Sequence, residues 1–407
     1  MLTRDASVVD LFLELVAVPS PSGRERTLGE QIHDWLGDAG VASSFDTAGA
    51  VNDSDAGNLI ATVPGAPGAP SYMFIAHLDT VEAGVPAVRP QLGEDGVIRS
   101  AGDTILGADN KSAVAAVMRL CAAAARMAVA ARPTVVAAFT CREESGTMGA
   151  SLLPREVVAA VDCAFCVDGS KPVGTVITRA LGQTVFSFAV RGRAAHAAAN
   201  PEAGVSAIAV ASEIIAALPL GRLPGGGSVS IAALVGGGVV DRLSPSSLRA
   251  LGIGEDADGM ASVTAALERT PTNSVPDVAL ARGEVRGYTV AEMEGAVQEI
   301  GAVIDRVCAS RGATSEWERN RERMIPPFPG APDSRALALV RTAAGQAGVP
   351  FVAEEAHATL EANYLAAGTD VVAVASGGRD PHQFSESITV TELEQLERLL
   401  LAIVRPG

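Results

Sequence analysis

Apolar runs that each end in an acid or a histidine punctuate the first half of this sequence. Tyr72–Ala76 leads into His77-Leu78-Asp79, Val135–Thr140 is followed by Glu143-Glu144, and Ala164–Val167 by Asp168. Short β-rich runs of this kind, bounded by turn residues, read as buried strands. Leu59–Val63 reads as another. Helical patterns lie between them, a long one over Ser112–Met127 and a short one over Pro154–Ala160. Strands alternating with helices specify an α/β sheet with helices on its faces. In open sheets of that class, binding sites form outside the carboxyl ends of the strands. Polar residues planted at successive strand ends would therefore converge on one place.

Two further residues join this set. Asp109 sits in Gly107-Ala108-Asp109-Asn110-Lys111, just before the long helix, and His382 lies in a glycine-containing loop after the strand Val371–Ala375. Taken singly, each has an ordinary reading. Asp109 could be a helix N-cap, Glu143-Glu144 a solvated loop, and His77 or His382 a hydrogen-bonded histidine. Taken together, two histidines and three carboxylates suit a pair of metal ions with one carboxylate bridging. Asp79, two residues after His77, could accept the second ring N–H and fix the ligating tautomer. Adjacent Glu143 and Glu144 can divide the labour, one binding a metal, the other moving a proton from water to a leaving amine.

After Gly174–Gly182 the texture changes. Thr184–Arg191 and Ser228–Val235 alternate as half-buried strands around an apolar helix over Gly204–Leu218; Val278–Val285 and Ala291–Cys308 read as a strand and a helix. This order predicts a small domain with helices on one face of an antiparallel sheet. The cluster Ile325-Pro326-Pro327-Phe328-Pro329 reads as a hinge back to the first domain, followed by a helix over Ser334–Ala347 and a last one over Thr391–Val404. The second domain is thus expected to be inserted into the first.

With 407 residues, 48% hydrophobic and 19% charged, the chain has the profile of a well-buried globular protein of two or three domains. Its net charge of −16 disfavours nucleic acid and anionic membrane surfaces as partners. The N-terminal apolar rhythm is broken by Asp10 and Glu14, so it reads as an amphipathic helix and not as an export signal, which points to the cytoplasm. Five cysteines make no disulfide framework, and Cys163-Ala-Phe-Cys166 lies inside an apolar run, so packing is the expected role.

The stretches FIAHLDTV, LGADNKSAVAAVM, FTCREESGTMGA, VDGSKPVG, VRGRAAHAAANPEAGVSAI, TNSVPD and the His382 loop jointly resemble the co-catalytic di-zinc peptidases. That family includes peptidase T, carboxypeptidase G and succinyl-diaminopimelate desuccinylase. DGSKPVGTVITRA and the AAHA stretch are most similar to the peptidase T-like branch. The resemblance implies a mixed-sheet α/β catalytic domain over residues 1–178 and 327–407. An inserted α+β, ferredoxin-like lid that usually dimerises would cover 179–326. It also implies His77, Asp109 and Asp168 on one zinc, and Asp109, Glu144 and His382 on the other. Asp109 would bridge, Glu143 would be the general base and Asp79 the orienting partner. His196 matches a lid histidine that stabilises the tetrahedral intermediate, often across the dimer. Asn273 and Arg286 match positions that contact polar groups of the substrate. Manganese or cobalt suits the same donor set.

Departures bear on the substrate. Where the family often has Gly-Gly-Ser-Asp-Ala-Asn, this chain has Ala358-Thr359-Leu360-Glu361-Ala362-Asn363, and after the last ligand it reads Gln383-Phe384-Ser385-Glu386 in place of an early Ser or Thr. Val239–Pro271 is an additional segment, expected to border the cleft or the dimer interface; its Glu255-Asp256-Ala257-Asp258 turn reads as solvated rather than as a calcium loop. The leading expectation is an aminopeptidase for short peptides, with Glu361 as acceptor for the substrate's α-amine and Asn363 beside it in the substrate-binding loop. A deacylase of N-acyl amino acids or a carboxypeptidase would use the same metals with Arg286 as the carboxylate anchor. A catalytically silent binding protein is a third reading, disfavoured by the intact ligand set.

Overall fold

The structure, a computed structural model, describes residues 5–81, 87–237, 271–331 and 333–405, with the side chains of 321–323 excepted. It divides into two compact units, Met1–Ala180 with Phe328–Gly407, and Leu181–Pro327. Nearly all of the extra segment at 239–271, including its acidic turn, lies outside the described residues.

The first unit is built on an eight-stranded mixed sheet. Its strands run in the order Ala42–Phe45, Leu59–Val63, Thr134–Thr140, Ser71–His77, Cys163–Val167, Asp370–Val374, Thr175–Ala180, Val352–Ala356. The four central strands, from Thr134–Thr140 to Asp370–Val374, are mutually parallel. Successive side chains of a strand point to opposite faces. Phe74, Phe139, Phe165 and Val374 enter one hydrophobic cluster, while Ile75, Ala138, Ala164 and Ala373 enter another. Burial on both faces is why these strands read as unbroken apolar runs. Cys163 and Cys166 fall into different clusters, so their thiols lie on opposite faces of the sheet and cannot share a metal.

The longer helices Val8–Val16, Arg26–Asp38, Ala108–Arg126, Arg335–Ala347 and Val390–Val404 supply the first cluster. The last of them starts in a full capping box, with Thr389 and Glu392 exchanging side-chain and backbone hydrogen bonds. A small sheet of Pro90–Leu92, Val97–Ser100 and Ser387–Thr389 pins down the loop that follows His382. The proline cluster is not a bare connector: Phe328 is buried, and it exchanges backbone hydrogen bonds with Ala180 at 2.8 and 3.1 Å.

The second unit is a five-stranded antiparallel sheet. Its four long strands and two helices (Ala207–Ala217 and Val290–Arg311) follow the β-α-β-β-α-β order. The spatial order Ser228–Gly236, Val278–Gly287, Gly182–Arg191, Thr314–Ile325 is the ferredoxin-like arrangement. Phe186, Phe188, Val190 and Ile214 pack with Ile300 and Ile304 as its core. Among the described residues, no helix is long and apolar enough to cross a membrane.

Candidate metal centre

Parallel strands put their carboxyl ends on one edge, and the first unit uses that edge. His77 closes Ser71–His77, the Glu143-Glu144 turn follows Thr134–Thr140, and Asp168 follows Cys163–Val167. The loop bearing His382 follows Asp370–Val374, and Asp109 opens the helix Ala108–Arg126. The five candidate ligands come together there.

Asp109 stands between the two histidines. Its Oδ1 lies 3.1 Å from His77 Nε2 and its Oδ2 lies 3.5 Å from His382 Nε2. On the His77 side, Asp168 Oδ1 is 3.8 Å from the same ring nitrogen; on the other, Glu144 Oε1 is 2.9 Å from His382 Nε2. Two trios thus share Asp109: His77 with Asp168, and Glu144 with His382. A third grouping, His77 with Glu143 and Glu144, is also close enough to hold an ion. His77 is only 1% exposed, whereas the His382 side chain is 46% exposed, so one side of the centre is deep and the other open. His382 also has a left-handed backbone, φ 64°, a strained state for a non-glycine residue that tends to occur at functional sites.

The orienting contacts differ in detail from the sequence-based expectation. The nearest partner of His77 Nδ1 is the Asp79 backbone carbonyl, at 2.9 Å, with the Asp79 carboxylate at 3.5 Å. That carboxylate instead accepts the backbone N–H groups of Glu143 (2.8 Å) and Glu144 (3.1 Å), and the Ser22 hydroxyl at 2.5 Å. Asp79 therefore holds the acid pair in place as well as facing the histidine.

The electrostatics describe a site short of positive charge. Burial raises the pKa of Asp168 and of Glu143, and neighbouring acids raise both further. Burial opposes a charge on His77, yet Asp109, Asp79 and Asp168 outweigh it and hold its pKa well above the usual histidine value. Burial likewise opposes ionisation of Asp109, but the two flanking histidines keep its pKa low. Carboxylates this crowded need cations, and imidazole with carboxylate oxygen is a donor set that divalent transition metals accept. The residues fit a pair of metal ions.

Glu361 and Asn363 lie deeper than their expected place in a substrate-binding loop. Glu361 is fully buried, and burial pushes its pKa up to about 7 against the lowering effect of the nearby Thr140 hydroxyl. It has no surface to offer a substrate amine. Asn363 is also buried, and its Oδ1 accepts the Leu360 N–H at 2.8 Å, shaping the loop from within.

The remaining candidates belong to the second unit. His196 is exposed, and its Nδ1 accepts the N–H groups of Ala198 and Ala199 at 3.2 and 3.1 Å, which leaves the proton on Nε2. Asn273 is exposed, and its backbone carbonyl accepts the Ala197 N–H at 2.8 Å. Arg286 is paired with Glu284 two residues earlier on its own strand, Nε to Oε1 at 2.8 Å. One polar residue at the centre escaped the sequence reading. Glu386, four residues after His382, accepts the N–H groups of Gly107 and Asp109. An acid that closely follows a ligand and immediately precedes a strand was its only signal.

Comparison with known proteins places the fold and the family. Over 98% of its length the chain superposes on aminopeptidase PepT of Bacillus cereus, covering 97% of that chain with a TM-score of 0.83 and 28% identity. A tripeptidase of Staphylococcus aureus gives a TM-score of 0.82 at 24% identity, over 98% of this chain and 96% of that one. The uncharacterized protein YqjE of Bacillus subtilis is 28% identical across 99% of both sequences. The sequence profile of peptidase family M20/M25/M40 matches residues 73–405. With a match that spans most of both units and contains every candidate ligand, this chain belongs to peptidase family M20/M25/M40.

Proposed function

We propose that the chain hydrolyses short peptides as a two-metal aminopeptidase, with zinc as the metal. His77, Asp109 and Asp168 would hold one ion, and Asp109, Glu144 and His382 the other. The observation that carries this reading is Asp109, which turns one carboxylate oxygen toward each histidine. When bound, the ions supply positive charge that acidifies a water molecule and polarises the scissile carbonyl. Glu143 takes the proton from that water and returns it to the departing amine. Burial and the neighbouring acids raise its pKa, which favours taking up the proton it must carry. Asp79 fixes where the Glu143 backbone stands, and so where its carboxylate can reach. His196 keeps a donor at Nε2, the type of group that stabilises an oxyanion. The reading extends to a homodimer formed through the second unit and to the cytoplasm. Similarity to an aminopeptidase of Bacillus cereus favours peptides with a free amine as substrates.

A second reading, hydrolysis of N-acyl amino acids or a carboxypeptidase, is favoured by one observation. Glu361, the residue expected to accept the substrate amine, is buried, whereas a deacylase or carboxypeptidase needs no such acceptor. The experiment compares one short peptide with its N-acetylated form, using zinc-loaded protein. Cleavage of the free form alone supports the aminopeptidase; preference for the acetylated form overturns it in favour of the second reading.

A further inference from the structure

We infer that Glu386 is a positioning residue of the metal centre: its carboxylate ties the backbone at Asp109 to the loop that carries His382. Glu386 is 2% exposed. Its Oε2 accepts the Gly107 N–H at 2.7 Å and its Oε1 accepts the Asp109 N–H at 3.0 Å. Gly107 has φ 77°, a conformation glycine adopts without penalty, and this turn brings its N–H and that of Asp109 to the same carboxylate. On its other side, Glu386 runs directly into Ser387–Thr389, which pairs with Val97–Ser100, so the carboxylate is itself anchored.

The consequence follows from which segments are joined. Asp109 and His382 belong to parts of the chain more than two hundred residues apart, and both are needed by the more exposed ion. Asp79 performs the matching task elsewhere in the centre, receiving the N–H groups of Glu143 and Glu144. Two buried carboxylates thus each grip two consecutive or nearly consecutive amides of a ligand-bearing turn. Hydrogen bonds to a charged acceptor are stronger than neutral ones. An amide in place of Glu386 could accept one N–H but would turn its own NH₂ toward the other.

A plainer role exists for the same contacts, a remote cap on the helix Ala108–Arg126. The two differ in what they touch. A cap supports the fold without distinguishing the ions, whereas a positioning residue acts most on the ion held by Asp109, Glu144 and His382, the one that needs both of the tied segments. The inference rests on the two-metal reading above, and the test separates them.

Full-length protein and its Glu386→Gln variant are stripped with chelator and titrated with cobalt(II), following heat and the visible absorption of the bound ion. The wild type is expected to bind two ions per chain. The variant is expected to retain one and to bind the other at least ~10-fold more weakly, the scale seen when partners of metal ligands are removed. Its kcat should fall with little change in KM and recover at high cobalt. Glu386→Asp keeps the charge on a shorter arm and is expected to restore part of the second site; it serves as the test if the Gln variant does not fold. Two ions bound with wild-type affinity and spectrum in Glu386→Gln, or in Glu386→Asp where the Gln variant does not fold, with only a lower Tm, would overturn the positioning role in favour of the cap. A wild-type chain that binds fewer than two ions would overturn the two-metal reading itself.

Discussion

Glu143 and Glu144 are neighbours in the chain with different surroundings, and their separation of roles is a matter of reach. Glu144 lies against His382, while Glu143 is surrounded by acids and by the buried side of the cluster. Replacing Glu143 with Ala should cost about 10²–10⁴-fold in turnover, the usual contribution of a positioned general base, while both metal ions stay bound. Parallel assays of hydrolysis and metal content check this; unchanged turnover would remove Glu143 from the reaction. At this scale the candidate ligands were legible because each sits at the end of an apolar run or the start of a helix. The depth of Glu361 was not, because a sequence shows which loop carries a residue and not which side of that loop becomes the interior. Glu386 was hidden for a related reason: its partners are backbone N–H groups, which leave no pattern in side chains.

Among elements, the short helix Met148–Ser151 shows how tightly the acid pair is supported. Gly149 packs against the backbone of Cys141, two residues before Glu143, and Asn58 bridges the two by accepting the Cys141 N–H at 3.1 Å and donating to the Gly149 carbonyl at 3.0 Å. A methyl group at Gly149 would collide with that backbone, which cannot swing aside as a side chain can. Gly149→Ala should therefore cost about 1–3 kcal/mol, as overpacking does, outweighing the gain of up to ~1 kcal/mol in helix propensity. Calorimetry would show a lower Tm; an unchanged or higher one would refute the packing argument. The central strands could be read directly because both their faces are buried. The outlying strands Val352–Ala356 and Thr175–Ala180 and the charged Thr314–Ile325 were not read as strands. Their sequences VAEEA, TVITRA and TSEWERNRERMI carry no sustained apolar run, and their pairing is set by the neighbour they meet.

For the whole molecule, the crowded cluster makes stability depend on pH in a way that metal should reverse. Without ions, His77 and His382 have pKa values above their ordinary 6.5, that of His382 reaching about 9 through its hydrogen bond to Asp109. A pKa raised by folding contributes stability that is complete below the unfolded value and is lost as pH rises through the folded one. The chelator-treated protein should thus lose Tm between about pH 6.5 and 9, as the imidazolium charges that offset the carboxylates disappear. The metal-loaded protein should not, since ions require deprotonated ligands and bind better as pH rises. Thermal scans across this range, with and without chelator, check the sign; a chelator-treated Tm that rises would contradict it. Another property of the molecule follows from the bridge between Ala180 and Phe328. The chain leaves the first unit and re-enters it at two residues already hydrogen-bonded to each other. Everything between them is topologically a very long hairpin loop, and a short turn would close the same pair at a lower cost in loop entropy. A version in which a glycine-rich turn joins Ala180 to Phe328 should fold and still bind metal, a detachable core to which the second unit was added as a cassette. Failure of that shortened chain to fold would show that the cassette has become part of the frame.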